Sequence, residues 1–218
     1  MPKNSSRRQR APGAQVGAPR QHNRRDALLA AAAAVIATRG YDTTSMRDIA
    51  RAAGMQPGSL YYHYASKDEL FVAIHGAAIA AIAAAVERAV APITDPWDRL
   101  EAAAAAHLDA LLGSRRTVKI VSPDFPVTSA RVRARLVAQR DAYDRRFQTL
   151  VDAVPLAVAG DRAMLRLMLL GALNWTPRWY RRGRKTPAEI GRAFVRQLRA
   201  GQAPGMRPRR RPAVKADL

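Results

Sequence analysis

The sequence predicts an all-α protein. Three observations carry that prediction. Alanine is abundant through the interior of the chain, no stretch alternates β-branched with polar residues, and Gly, Pro and small polar caps fall at spacings suited to helix ends. A first helix is expected over 24–39, stopped by Gly40. A second, 46–53, takes Thr44 or Ser45 as its cap, carries Asp48 in its first turn and ends at Gly54. The third, 57–63, opens on Pro57, whose missing N–H costs nothing at a first helical position. A fourth starts at Ser66, spaced from Glu69 as in a capping box, and runs to about Val90. The fifth, 96–112, follows Asp95-Pro96 and closes at Gly113, while 114–127, with Pro123 and Pro126, reads as irregular. Helices are then expected over 129–153, 161–182 and 187–200.

The chain has 218 residues, a formal net charge of +20 and no cysteine. Disulfides, thiolate metal sites and cysteine nucleophiles are thereby excluded. A balance this basic favours a polyanionic partner. More than half of the excess lies near the two ends, but the interior is basic as well. Residues 1–23 combine Pro2, Pro12 and Pro19 with arginines and almost no apolar side chains, so they read as a disordered basic arm. By the same reasoning 202–218 is a disordered basic tail, leaving 24–74 and 75–201 as the folded domains. No run of about 18 uncharged apolar residues predicts a membrane span, and the basic start lacks the apolar core of a secretory signal, so a cytoplasmic location is expected.

Within 43–64, Met46, Ile49, Ala50 and Ala53 share one face of a short helix, Gly54 supplies a left-handed turn, and Met55 and Leu60 can pack the next helix back onto it. Two short helices across a glycine turn form the DNA-binding helix-turn-helix pattern, whose second helix enters the major groove. Gln56 and Ser59 are small polar groups able to read base edges. Pro57 starts the helix beside them, and Gly58 permits close approach. Tyr61, Tyr62 and His63 can reach phosphates, Thr44 and Ser45 with the free N–H groups of a helix start form an anion site, and Lys67 adds a cation. Helical geometry cannot bury four consecutive aromatic rings, so Tyr64 is expected in the core and Tyr62 outside.

From Arg25 to about Ile74 the residues resemble the DNA-binding domain of the TetR family of bacterial transcriptional regulators. The resemblance is carried by Arg39-Gly40-Tyr41, T-T-S-M-R-D-I-A-x-x-A-G and G-S-L-Y-Y-H-Y-x-S-K-D-E-L. It implies backbone-contacting roles for Thr44, Gly58, Tyr61, His63 and Lys67, and base-proximal ones for Gln56, Ser59 and Tyr62. Tyr64 replaces the usual Phe, and Ala65 a common Lys or polar residue. The resemblance also implies a homodimer on a double-stranded palindromic operator, with the second domain binding an effector. The helices at 161–182 and 187–200, ending in Ile190, Phe194 and Leu198, are the candidates for the dimer seam.

The second domain's most unusual stretch is L-L-G-A-L-N-W-T-P-R-W-Y-R-R, residues 169–182. Trp175 and Trp179 lie four apart, Pro177 should kink or break the helix, and Asn174 is polar in an apolar run, so the stretch lines either a pocket or a dimer seam. With the T-P-A-E-I that follows, it is similar to a TetR subgroup responsive to coenzyme A thioesters. That likeness implies an acyl- or steroid-type thioester as effector, its phosphates met by Arg178, Arg181, Arg182 and Arg184 and its apolar or adenine parts by Trp175 and Trp179. Asn174 and His107 join this candidate set. An apolar drug or antibiotic is the alternative effector. A non-specific DNA-packaging role would account for the charge but not for a second helical domain. No catalytic triad, nucleotide loop or metal spacing occurs among His22, His63, His75 and His107, so no enzyme activity, cofactor, metal or membrane partner is expected.

Overall fold

In a computed structural model of the chain, residues 18–122, 129–156 and 162–202 are described, with side chains from Arg24 onward. They form helices α1 (Ala18–Arg39), α2 (Met46–Ala52), α3 (Pro57–His63), α4 (Lys67–Val90), α5 (Pro96–Leu112), α6 (Arg115–Val121), α7 (Ala130–Asp152), α8 (Arg162–Trp179) and α9 (Pro187–Gly201). Among the described residues there is no strand, and the all-α expectation holds.

Local chemistry sets most of the ends. Ser45, Ser66, Asp95, Ser129 and Thr186 each cap a helix by accepting a backbone N–H from its first turn. Proline opens α3, α5 and α9. Full capping boxes close at Ser45–Asp48 and Thr186–Glu189. The one expected at Ser66 is half made: Ser66 accepts from the Glu69 N–H, but the Glu69 carboxylate turns away to Arg135 of α7, 2.5 Å off.

Two hydrophobic cores organise the molecule. The head core gathers Leu28, Leu29, Ala32 and Ile36 of α1, Ile49 and Ala50 of α2, Leu60 of α3 and the start of α4. The body core joins the end of α4 with α5, α7, α8 and α9 around Leu100, Leu108, Phe147, Leu169 and Leu173. Helix α4 runs unbroken through both, with Leu70, Phe71 and Ile74 in the head and Ile82, Ala83 and Val86 in the body. By length and composition α4 would pass as a membrane span; here Leu70, Phe71, Val72, Ile74, Ile82, Ala83 and Val86 are buried in the two cores. Helix α9 presses so closely on α5 that a Cβ at Gly191 would collide with the Ala104 carbonyl.

Four expectations need correction. Helix α1 begins at Ala18, not 24, because Pro19 falls in a first turn, where no N–H is needed; the proposed arm therefore loses residues 18–23 to helix, and 1–17 lie outside the described residues, as do 203–218 of the tail. Residues 115–121 are helical rather than irregular. Ser114 caps α6, Ile120 plugs into the head core, and Arg116 and Lys119 donate to the α1 carbonyls of Ala30 and Ala37 at 3.4 and 2.7 Å. The helix stops before Ser122, extended at ψ 133° ahead of Pro123; 123–128 lie outside the described residues. Finally, α8 ends at Trp179 rather than 182: the helix carries Pro177 inside it and stops two residues later.

Candidate nucleic-acid interface and effector region

Helices α2 and α3 meet across Gly54, whose φ of +64° is the left-handed value the turn requires, and the Met55 N–H returns to the Ala50 carbonyl at 2.9 Å. Leu60 is fully buried and fixes α3 to the head core. Around it Gln56, Gly58, Ser59, Tyr61, Tyr62 and His63 are exposed and Pro57 is half-buried. Tyr62 is 88% exposed, its ring edge-on to His63 at 5.4 Å, whereas Tyr64 is half-buried on the head core with its hydroxyl 3.4 Å from Arg25 Nε. Gln56 occupies the cap position of α3 without using its side chain there, so its amide stays available. A Cβ on Gly58 would touch nothing within 4 Å; packing inside the chain therefore places no demand for glycine there.

The phosphate anchors expected around α2 are arranged differently. Thr44 is buried, its hydroxyl donates to the Gly40 carbonyl at 2.6 Å and its N–H to the Tyr41 carbonyl at 3.3 Å, so it braces the turn instead of facing outward. Ser45 is exposed, but Asp48 Oδ2 takes both its N–H at 3.0 Å and its hydroxyl at 2.5 Å. These bonds from Ser45, with Arg39 and Arg51 nearby, hold the Asp48 carboxyl below its usual range, so the negative charge at this helix start comes from the protein. Lys67 is half-buried, its Nζ bonded to the Tyr41 carbonyl. Arg47, exposed on α2, belongs to the same surface and was not singled out from the sequence; only the placement of the helix face shows it.

The residues proposed for the effector do not assemble in one place. His107 is buried between α5 and α7, its Nδ1 2.7 Å from the Tyr143 hydroxyl and its ring edge-on to Phe147. Burial lowers its pKa to about 4. Asn174, Trp175 and Arg178 instead lie on the exposed side of α8, the Arg178 guanidinium stacked 5.0 Å over the Trp175 ring. Trp179 lines a cleft of about 360 Å³ with Tyr180, Arg181, Lys185 and Phe194, and Arg182 is exposed outside that lining. Lys185 and Phe194 come from beyond the Trp-rich stretch, which is why its sequence did not point to them.

A glycine-turned pair of short helices with an open recognition face, mounted on a separate helical body, defines a helix-turn-helix protein of the two-domain helical class. The chain belongs to the tetR family of bacterial regulatory proteins: that family matches residues 28–74, and the tetracyclin repressor-like C-terminal domain matches 94–202. It is 32% identical over 119 residues to the transcriptional activator FasR of Mycolicibacterium smegmatis, covering 55% of this chain and 54% of that protein. It is 30% identical over 125 residues to the transcriptional repressor KstR2 of Mycobacterium tuberculosis, covering 57% of this chain and 62% of that one. Less than two thirds of either relative is therefore matched. Among solved structures, AibR in complex with isovaleryl coenzyme A and operator DNA superposes with a TM-score of 0.66 at 27% identity, over 80% of this chain and 97% of that one.

Proposed function

We propose that the chain is a homodimeric DNA-binding transcriptional regulator, a repressor released from a pseudo-palindromic operator by a coenzyme A thioester. The observation that carries the reading is α3, pinned by Leu60 alone while Gln56, Gly58, Ser59, Tyr61, Tyr62 and His63 face outward. In the major groove Gln56, Ser59 and Tyr62 read base edges, Gly58 gives close approach, and Tyr61, His63, Arg47 and Lys67 meet phosphates. Residues 24–74 form the DNA-binding unit and 75–201 the sensing and pairing unit. Such a regulator acts in the cytoplasm and needs no catalytic group.

Pairing of two copies is supported by α8. Met164, Leu167, Met168 and Trp175 are large apolar side chains between 52% and 60% exposed, spaced to form one outward stripe. The effector class is supported by AibR, described with both isovaleryl coenzyme A and operator DNA. Repression is the sign named for KstR2 and activation that named for FasR; we take repression, the simplest result of occupying a promoter.

The test is fluorescence anisotropy over a salt titration, comparing palindromic with random DNA, followed by isovaleryl-CoA. A preferred palindrome released by the thioester supports the reading. Equal affinity for random sequence at every salt concentration sinks it.

A further inference from the structure

Helix α7, like α4, belongs to both cores: Val132 and Leu136 sit in the head, Tyr143 and Phe147 in the body. Between these two pairs α7 sets a polar side chain, Gln139, on α4, where α4 passes from Ile74 in the head to Ile82 in the body. Three contacts hold it there. Gln139 Nε2 donates to the Val72 carbonyl at 3.1 Å, which turns Oε1 toward His75. Since Oε1 only accepts, His75 Nδ1 carries the proton and donates to it at 2.6 Å. The amide also lies against Gly76, where an added Cβ would come within 2.8 Å of Gln139 Nε2.

The other contacts at this level specify register less well. Packing of Val132 and Leu136 is non-directional. The Arg135–Glu69 pair is partly exposed and therefore screened by salt. The Gln139 amide, by contrast, has one seat, and His75 is shielded from water at 1% exposure. A slide of α7 by one residue's rise, about 1.5 Å, cannot keep both bonds in range with the amide still on Gly76. Fixing register is the best-attested use of a buried polar contact, whatever its net stability. Beside it a cleft of about 830 Å³ parts Arg135 and Gln139 of α7 from Arg25 and Leu29 of α1 and from Tyr64. On that side α7 holds the head through α4.

We propose that Gln139 is a positioning residue for operator recognition: seated on Gly76 between Val72 and His75, it locks α7 to α4 and so sets the spacing that two heads present to DNA. It touches no base and no phosphate. Its effect passes through α4, which carries the head at one end and enters the body at the other. This rests on the reading of a dimer on a palindrome. A head held in one orientation enters both grooves without first being ordered, whereas an unlatched head loses that freedom on binding and the complex weakens. A single half-site makes no demand on spacing and is indifferent to the latch.

The chain has no cysteine, so Thr38→Cys, at an exposed position of the head, takes a single spin label in the full-length protein. Double electron–electron resonance then reads the distance between the two heads of a dimer. The labelled parent should give one narrow distance. Gln139→Met keeps the length of the side chain without its amide, and Gly76→Ala pushes the amide off its seat while alanine's helix propensity offsets the lost bonds. Both should broaden the distance distribution. Both should also weaken binding to a palindrome about tenfold and leave binding to an isolated half-site unchanged. Should Gln139→Met fail to fold, Gly76→Ala decides. A distance as narrow in the variants as in the parent overturns the proposal and spares the dimer. Equal losses on palindrome and half-site also overturn it, since they mark a residue that only stabilises the fold. No inter-head distance in the parent overturns both the proposal and the dimeric reading.

Discussion

Lys67 Nζ sits 2.7 Å from the Tyr41 carbonyl and 4.3 Å from the centroid of the Tyr41 ring, so one ammonium ties the start of α4 to the turn after α1. The Tyr41 hydroxyl in turn donates to Asp68. The cation therefore has a structural duty before any DNA arrives. Lys67→Ala should lose about 1–2 kcal/mol of stability as well as operator affinity, since a charged hydrogen bond and a cation–π contact go together. Tyr61→Ala, at a site 52% exposed, should weaken binding with stability unchanged within about 0.5 kcal/mol. Urea midpoints measured beside anisotropy separate the two; equal stability losses would refute the distinction.

Two glycines make opposite predictions. Gly191→Ala drives a methyl group into the Ala104 carbonyl and should destabilise by about 1–3 kcal/mol. Gly58→Ala meets open space in the first turn of α3 and should stabilise the free protein by no more than about 0.5 kcal/mol while weakening DNA binding. Thermal melts and operator titrations of both variants check this, and a destabilised Gly58→Ala would contradict it.

Helix α6 is held to the head by Ile120, 1% exposed in the head core. Ile120→Ala should cost about 2–5 kcal/mol. Hydrogen exchange should place the loss in α1 and α6 together, and loosening confined to the body would show that α6 is not part of the head.

Much of this was legible from residue order, and the reason is locality. Pro57, Pro96 and Pro187 mark helix starts within the residues that form them, and α3 and α5 fall where their punctuation puts them. The all-α fold and the turn at Gly54 follow from the same short-range chemistry. What needed the structure was long-range. Helix α6 exists because Ile120, Arg116 and Lys119 find partners on a helix some 80 positions earlier. Thr44 turns inward because the Gly40 carbonyl lies four residues behind it, a bond that competes with the outward role its motif implies. The effector set scattered because α8 is apolar on two faces. Periodicity cannot say which face meets the core, and Leu169 and Leu173 turned in while Trp175 turned out.

If the outward stripe of α8 seats a second copy, charging it should separate the pair. Leu167→Glu combined with Trp175→Glu is expected to give a monomer by light scattering, with helix content retained because both side chains are already more than half exposed. Affinity for a palindrome should fall toward that for a single half-site. A dimer surviving this double charge would move the seam elsewhere.

His107 gives a pH signature. Its folded-state pKa is lowered to about 4 from an ordinary value near 6.5, so the folded protein binds the imidazole's proton less readily than the unfolded chain does. The contribution is fully present above pH 6.5 and lost as pH falls from there toward 4, an effect of about 3 kcal/mol for a group this buried. His107→Leu should flatten that part of the stability curve in urea titrations from pH 7 to 4; an unchanged slope would show the burial to be relieved in solution.

Helix α4 has 24 residues and no proline, hence a length of about 36 Å. Because it belongs to both cores at once, it acts as a lever arm with no joint between its ends. A tilt of roughly 5° about the Val90 end sweeps the Lys67 end through about 3 Å, as the rise per residue dictates. A pair of recognition helices must hold a separation of about 34 Å to meet successive grooves. In the dimer proposed above, a rearrangement too small to notice in the body would be magnified at the far end into a misfit that DNA registers.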